Sequence, residues 1–486
     1  MTESINLNDV KHIHLIAICG TAMGALAGML KKKGFRITGS DEGVYPPMSD
    51  YLRDLGIEVM EGFRSENLDV NPDLVIVGNT VKRINPEAQE MVRRNIPHIH
   101  LPGALSEYFL KLGHPIVISG THGKTTTTAL CAWVLESAGL DPGFLVGGTL
   151  KNFNSNAKVG EGKFFAIEGD EYDSAYYDKV PKFYHYRPKT GVITSVEFDH
   201  GDIYKDIDHI KSVFTNFANL IPHDGYLVAC ADFPHVLDVI KPAKCEIVTY
   251  GLTQNADIRI RDLELDENGA KFSLFRKDEK ISDFRSPLWG SHNASNAAAV
   301  AIVCLRHGLS IAQIQEGFDT FQGVKRRQEI LAVVNDIIMI DDFAHHPTKV
   351  RETVKAVRAR YPDRRLFCVY EPRTNTSRRN FFQDVYPISF YGADFVLIAP
   401  VYHSDQIEKD SLMDPGKLAG DIRKKGIEAH HLAGVDDIIE FLAENTKSGD
   451  VILIMSNGGF GGIYKKLPQR LAKNKDWQRK RGKIIV

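Results

Sequence analysis

After the apolar run Pro115-Ile116-Val117-Ile118 and Ser119 comes Gly120-Thr121-His122-Gly123-Lys124-Thr125-Thr126, a combination suited to holding phosphate. Glycines let successive backbone N–H groups turn toward anionic oxygens, and the N-terminus of the following helix adds partial positive charge. Lys124 can then reach the β- and γ-phosphates of a nucleotide while Thr125 offers a hydroxyl to Mg²⁺. The loop is shortened against the common pattern, since Ile118 stands where a first glycine would be. Downstream, Glu168-Gly169-Asp170-Glu171-Tyr172-Asp173 follows the strand-like Phe164 to Ile167, and Glu197-Phe198-Asp199-His200-Gly201-Asp202 follows Val192 to Val196. Ligands bind at strand ends in such sheets. Thr125, Glu171 and His200, with phosphate oxygens and water, make a hard, oxygen-rich set that suits Mg²⁺ or Mn²⁺ better than Zn²⁺.

Two further loops follow strand-like runs near the C-terminal end. One runs from Asp341 through Asp342, His345 and His346 to Thr348, and the other from Glu371 through Arg373, Thr374 and Asn375 to Arg378. Arginine grips carboxylates in a bidentate way, so Arg373 and Arg378 suit a ligand with several carboxylates. Gly458 and Gly459, after the last clear strand, permit close backbone approach to a bound molecule. Near the N-terminus, a βαβ pattern carries Gly20, Gly24 and Gly28, with Asp41 at the end of its second strand. A dinucleotide fingerprint anchored at Gly20 needs glycine where Ala22 and Ala25 stand, so the spacing favours another nucleotide or a diphosphate over NAD and argues against an oxidoreductase.

The chain that must position these groups has 486 residues, 43% of them hydrophobic and 25% charged, with a net charge of -2. Such a length needs several cores. The near-neutral balance gives no electrostatic case for nucleic acid or membrane as partner. No run of about 18 apolar residues occurs and the first residues are polar and acidic, so a cytoplasmic protein is expected. Six scattered cysteines show no C-x-x-C pair, which fits reduced thiols. Strand and helix patterns alternate throughout, implying an α/β fold with three domains. These are a Rossmann-like N-terminal domain over 1–113, a central P-loop ATPase domain with a mostly parallel sheet over 114–323, and a Rossmann-like C-terminal domain over 324–486. Ile96 to Leu101 is expected as the last strand of the first domain, and Ile258 to Phe275 as a hairpin turning at Asp266 to Gly269. The tail from Lys465 to Lys483 carries nine basic residues and one acid and is expected as a solvated terminal helix.

In sequence order, the phosphate loop, the Glu168 and Glu197 clusters, Ser291-His292-Asn293-Ala294-Ser295-Asn296, Gly323 to Glu329 and Asp341 to Thr348 together resemble the Mur ligase family of ATP-dependent amide-forming enzymes, along essentially the whole chain. The resemblance implies that Gly20, Thr21, Met23, Gly24 and Asp41 surround the diphosphate of UDP-N-acetylmuramate. It implies that Gly120, Thr121, His122, Gly123, Lys124, Thr125 and Thr126 hold ATP, with Asn293, Asn296, Arg327 and Asp342 at the nucleotide, and that Mg²⁺ binds at Thr125, Glu171 and His200, with Glu168 competing for the Glu171 role. The implied amine substrate is the tripeptide L-alanyl-γ-D-glutamyl-meso-diaminopimelate, held by Arg373, Asn375, Arg378, Gly458 and Gly459, with L-alanine as the alternative. Lys124 would stabilise an acyl phosphate, and His345 or His346 would position or deprotonate the amine. The carbamylated lysine of several relatives aligns with Thr215, so none is expected. The implied enzyme is bacterial, a monomer or weak homodimer.

Overall fold

The computed structural model describes residues 9–46 and 48–473. Its contacts divide the chain into two compact units, one of 1–196, 210–259 and 297–322, the other of 197–209, 260–296 and 323–486.

The first unit opens with a five-stranded sheet of His12–Ile16 (β1), Arg36–Asp41 (β2), Glu58–Glu61 (β3), Leu74–Val77 (β4) and His98–His100 (β5). The order is β3-β2-β1-β4-β5 and every pairing is parallel, which is the Rossmann-like arrangement expected. Its last strand is shorter than the sequence suggests. Leu101 begins a helix instead, because the His100 ring caps it by accepting the Gly103 N–H at 3.0 Å.

The second sheet of this unit has His114–Ser119 (β6) at its centre. Gly143–Leu150 (β7), Ser155–Lys158 (β8) and Phe164–Gly169 (β9) lie to one side of it. A small hairpin of Asp173–Ala175 (β10) and Asp178–Pro181 (β11) comes next in the chain. Thr190–Ile193 (β12), Tyr226–Cys230 (β13) and Glu246–Gly251 (β14) lie on the other side of β6. Ile258–Asp266 (β15) continues beyond β14, and in the second unit Gly269–Arg276 (β16) pairs antiparallel with Glu279–Ser286 (β17). The expected turn at Asp266 to Gly269 is present, with one strand more than the sequence pattern indicates.

The second unit is built on Glu329–Val334 (β18), Ile337–Asp342 (β19), Leu366–Tyr370 (β20), Phe395–Ile398 (β21), Glu428–His431 (β22) and Val451–Met455 (β23), in the order β18-β19-β23-β20-β21-β22. All pairings but the first are parallel. Alternate residues feed two separate cores: Ile338, Ile340, Cys368 and Tyr370 join one, and Ile337, Met339, Phe367 and Val369 the other. This period of two, apolar on both faces, is what a covered parallel sheet requires. The C-terminal helix Ile463–Ala472 is present, while the rest of the basic tail lies outside the described residues. No helix among the described residues is long and apolar enough to cross a membrane, and all six cysteines are free thiols.

Two polar clusters tie these layers together. In the first unit the Thr190 hydroxyl lies 2.9 Å from His114 Nε2 and 3.1 Å from His307 Nε2. Burial, then the neighbouring His114, push His307 down to about 4, so it folds neutral. A folded value below the usual 6.5 means stability is complete above pH 6.5 and is lost as pH falls toward about 4. In the second unit Arg326 donates to Asp341 at 3.0 Å, to the Ser456 and Gly458 carbonyls at 2.8 and 2.9 Å, and to Tyr464 at 2.7 Å. Burial lifts Asp341 to about 6 even beside this guanidinium.

Thermal scans from pH 7.5 to 5 should therefore show a falling midpoint, and His307→Gln should flatten that fall; an identical fall in the variant would contradict the assignment. Arg326→Ala should cost about 2 kcal/mol, because a buried carboxylate and two carbonyls lose their donor. Chemical denaturation should show it as an earlier unfolding transition, and Arg326→Lys should recover only part.

Candidate functional site

Parallel pairing sets Ser119, at the end of β6, opposite Ile193 of β12 and Gly169 of β9, so three strand ends meet at the phosphate loop. Gly120 has φ +136°, and a Cβ there would lie 2.2 Å from the Thr194 hydroxyl and 2.9 Å from Ser195 N, so no other residue fits. Gly123, at φ +84°, caps the helix Lys124–Ser137, whose first turn includes Thr126 and carries no acid. The loop is braced from β12's side: Thr121 N–H donates to Ser195 O at 3.0 Å and His122 N–H to the Ser195 hydroxyl at 2.9 Å.

The Lys124 ammonium donates to Gly120 O at 2.6 Å and to Glu171 at 2.9 Å. Burial works against its charge, but Glu171 and then Asp170 outweigh it and hold Lys124 above its usual value. Thr125 donates to Glu168 at 3.2 Å, and Glu168 also accepts the Gly147 N–H at 2.5 Å. The acid beside Thr125 is thus Glu168, and Glu171 partners Lys124, which differs from the expected Thr125–Glu171 grouping. The cause is register: Glu168 is still in β9, level with Ile118, whereas Glu171 lies beyond the strand. A hydroxyl and a carboxylate side by side are a hard oxygen set that fits Mg²⁺.

At the N-terminal turn, Gly20 precedes the helix Thr21–Lys32, whose first turn has no acid and no side-chain cap. Asp41 accepts the Cys19 N–H at 2.8 Å and the Gly43 N–H at 3.0 Å, bracing this turn with both oxygens. Gly24 lies inside the helix, where its N–H bonds to Gly20 O at 2.7 Å. A Cβ there would lie 2.2 Å from Met48 Sδ, and one on Gly28 equally close to the Tyr51 hydroxyl, so the pair admits the helix Met48–Asp54. Met23 is buried and can offer a ligand only its main chain.

In the second unit Asp199, His200 and His345 gather. His200 holds φ +54°, unusual for a residue with a Cβ, and its N–H donates to the Asp199 carboxylate at 2.7 Å. Burial would raise Asp199, but His200, His346 and His345 around it hold it well below the usual carboxylate range. The two candidate histidines differ in their free valence. His346 Nδ1 accepts the Thr348 N–H at 3.2 Å, which puts its proton on Nε2, and that donates to Phe198 O at 3.1 Å. Both nitrogens are engaged. His345 Nδ1 lies 2.9 Å from Phe343 O and must donate, so Nε2 keeps its lone pair, 4.0 Å from Asp199 Oδ2. Burial pushes His345 down to about 3, and its carbonyl is fixed by the Tyr370 and Tyr386 hydroxyls at 3.0 and 2.6 Å.

Asp342 spends its carboxylate on the Gln328 and Ala344 N–H groups, both at 2.8 Å, and so shapes the loop. Asn293 donates to Trp289 O at 2.9 Å and Gln328 Oε1 at 3.1 Å and accepts from Asn296 at 3.0 Å, while the Arg327 guanidinium lies 4.3 Å from the Phe343 ring centre. Arg373 stacks on Tyr402 with 3.6 Å between guanidinium and ring centre. Arg378 donates to Asn375 at 2.7 Å and to Tyr402 O at 3.3 Å. A Cβ on Gly458 would sit 1.9 Å from Arg373 Nε, so that glycine makes room for the arginine, whereas Gly459 has nothing within 4 Å of its would-be Cβ. Tyr402 and Arg326 escape sequence reading: the first is a lone aromatic, and the second sits beside Arg327.

Known proteins are similar to this chain. Three family models match: "Mur ligase family, catalytic domain" over residues 12–111, "Mur ligase middle domain" over 118–304 and "Mur ligase, glutamate ligase domain" over 326–458. A UDP-N-acetylmuramate–L-alanine ligase of Clostridium tetani is 38% identical, covering 94% of this chain and 97% of that protein. A UDP-N-acetylmuramate–L-alanyl-γ-D-glutamyl-meso-2,6-diaminoheptandioate ligase of Haemophilus influenzae is 34% identical, covering 95% of this chain and 99% of its own. The crystal structure of a murein peptide ligase from Psychrobacter arcticus superposes with a TM-score of 0.71 at 33% identity, covering 95% of this chain and 99% of that one. The chain belongs to the Mur ligase family, whose members are ATP-dependent, amide-bond-forming ligases.

Proposed function

We propose that this ligase joins L-alanyl-γ-D-glutamyl-meso-diaminopimelate to UDP-N-acetylmuramate, in three domains spanning 1–113, 114–323 and 324–486. The observation that carries this reading is the Arg373 and Arg378 pair, fixed on Tyr402 beside Gly458. Alanine offers one carboxylate, whereas the tripeptide offers several, and two oriented guanidiniums suit the second. The similarity to ligases named for that peptide, at 34% and 35% identity, supports it. Ligation of L-alanine is the second reading, favoured by the 38% identity to an alanine ligase.

The acid substrate's carboxylate attacks the γ-phosphorus of ATP, the bond to the β-phosphate oxygen breaks, and ADP leaves an acyl phosphate. Lys124 and the loop N–H groups face the charge that develops. Mg²⁺ would be held by Thr125 and Glu168 and would supply further charge neutralisation to the phosphates. The peptide amine then attacks the acyl carbon, the carbon–nitrogen bond forms, and the carbon–oxygen bond to phosphate breaks. His345 Nε2, the nitrogen with its lone pair in place, accepts a hydrogen bond from the amine and positions it, the amine proton passing to the departing phosphate, while His346 holds the loop. The diphosphate of the sugar nucleotide lies against the N–H groups of Thr21 and Met23, just after Gly20. Asn293, Asn296 and Arg327 border the nucleotide, and the Asp342 loop carries Arg327's aromatic support.

Phosphate release from ATP with UDP-N-acetylmuramate should occur with the tripeptide and not with L-alanine, with mass spectrometry identifying the product; the reverse preference would establish the second reading. Arg373→Ala should raise KM for the peptide about 10- to 100-fold with little change in kcat. Gly458→Ala should do the same by displacing that arginine, and an unchanged KM in both would remove the peptide assignment. Lys124→Ala should lower kcat by roughly three orders of magnitude.

A further inference from the structure

A cavity of about 100 Å³ in the first unit connects the first turn of the helix Thr21–Lys32, at Thr21 and Ala22, with Glu168. It is partly open to solvent and has room for a carboxylate with its neighbouring carbons. Its polar wall carries two acids, Glu168 and Asp170, and one cation, Lys182. Two carboxylates in a confined space repel a third, so an anion entering here needs a positive partner.

Lys182 is built in place. It follows β11, its N–H donates to Tyr172 O at 3.0 Å, and its ammonium lies 5.6 Å from the Tyr172 ring centre. The turn it begins is clamped: Asp178 Oδ2 lies 2.9 Å from His100 Nε2 and 3.0 Å from His185 Nε2. Because His100 Nδ1 takes the Gly103 N–H, its proton is on Nε2 and faces Asp178, which ties the start of this turn to the helix at Leu101. Asp170, 3.1 Å away, takes one ammonium hydrogen of Lys182. An ammonium carries three donors, so two remain for the cavity.

We propose that Lys182 binds the carboxylate that is to be activated, holding it between the N-terminal turn and the Thr125–Glu168 pair. This rests on the reading above that the acid enters as UDP-N-acetylmuramate. The turn would hold the diphosphate, and the cavity then receives the acid group at the other end of the sugar.

Titration calorimetry of the full chain without ATP tests it with two ligands, UDP-N-acetylmuramate and UDP-N-acetylglucosamine, which lacks the lactyl carboxylate. Lys182→Met should weaken the muramate ligand about 10- to 100-fold, leave the glucosamine ligand unchanged and keep the parent's thermal midpoint, while Lys182→Arg should retain most of the affinity. Should Lys182→Met fold poorly, Lys182→Gln gives the same comparison at nearly the same length. Equal muramate affinity in parent and variants overturns the proposal. So does equal weakening of both ligands, which would put Lys182 on the diphosphate. A parent chain that binds no UDP-N-acetylmuramate would instead remove the substrate reading, which distinguishes the two failures.

Discussion

A parallel strand covered on both faces has only its ends on which to place polar chemistry. Side chains along β19, β20 and β23 are committed in alternation to one core or the other, those of β6, β9 and β12 are nearly all buried, and each carboxyl end then releases a loop. The phosphate loop follows β6, Glu168 closes β9, Thr194 and Ser195 follow β12, and the His345, Arg373 and Gly458 loops follow β19, β20 and β23. Within each unit, the candidate residues depend on the register of those strands. A slip of one residue between β6 and β9 would exchange Glu168 for a neighbour that faces the core.

Within that frame, bracing groups outnumber groups left to meet a ligand. Asp41, Asp342 and Asp199 each spend carboxylate oxygens on backbone N–H groups, and Ser195 and Thr194 support the phosphate loop from outside. Arg326 does the same for the last loop, binding two of its carbonyls while anchored to Asp341. These contacts are paid for by burial of charge, visible in the raised Asp341, and they fix loops that carry too few apolar residues to fix themselves.

Much of this was legible in the sequence because glycine, lysine and carboxylate spacing reports backbone geometry directly. The loop at Gly120 to Thr126, the strand-end acids and the alternation of strand and helix all have short-range signatures. Other features turn on contacts made far along the chain. Gly24 and Gly28 serve helix packing against Met48 and Tyr51, and nothing in their spacing names that partner. Choosing Glu168 over Glu171 beside Thr125 required the β6–β9 register, and separating His345 from His346 required knowing which carbonyl or N–H each ring nitrogen meets. Lys182 had no local signature, since its meaning comes from a cavity formed by segments distant in sequence.

The Lys124–Glu171 pair gives the phosphate loop a resting occupant. An arriving phosphate competes with a carboxylate already on the ammonium, so the intrinsic attraction of the loop is reduced by the strength of that pair. Small anions with one contact to offer gain little by displacing Glu171, whereas a nucleotide that also engages the loop amides can meet the cost. On the proposed reading the pair would work as a threshold, holding the lysine until a polyphosphate with enough simultaneous contacts arrives.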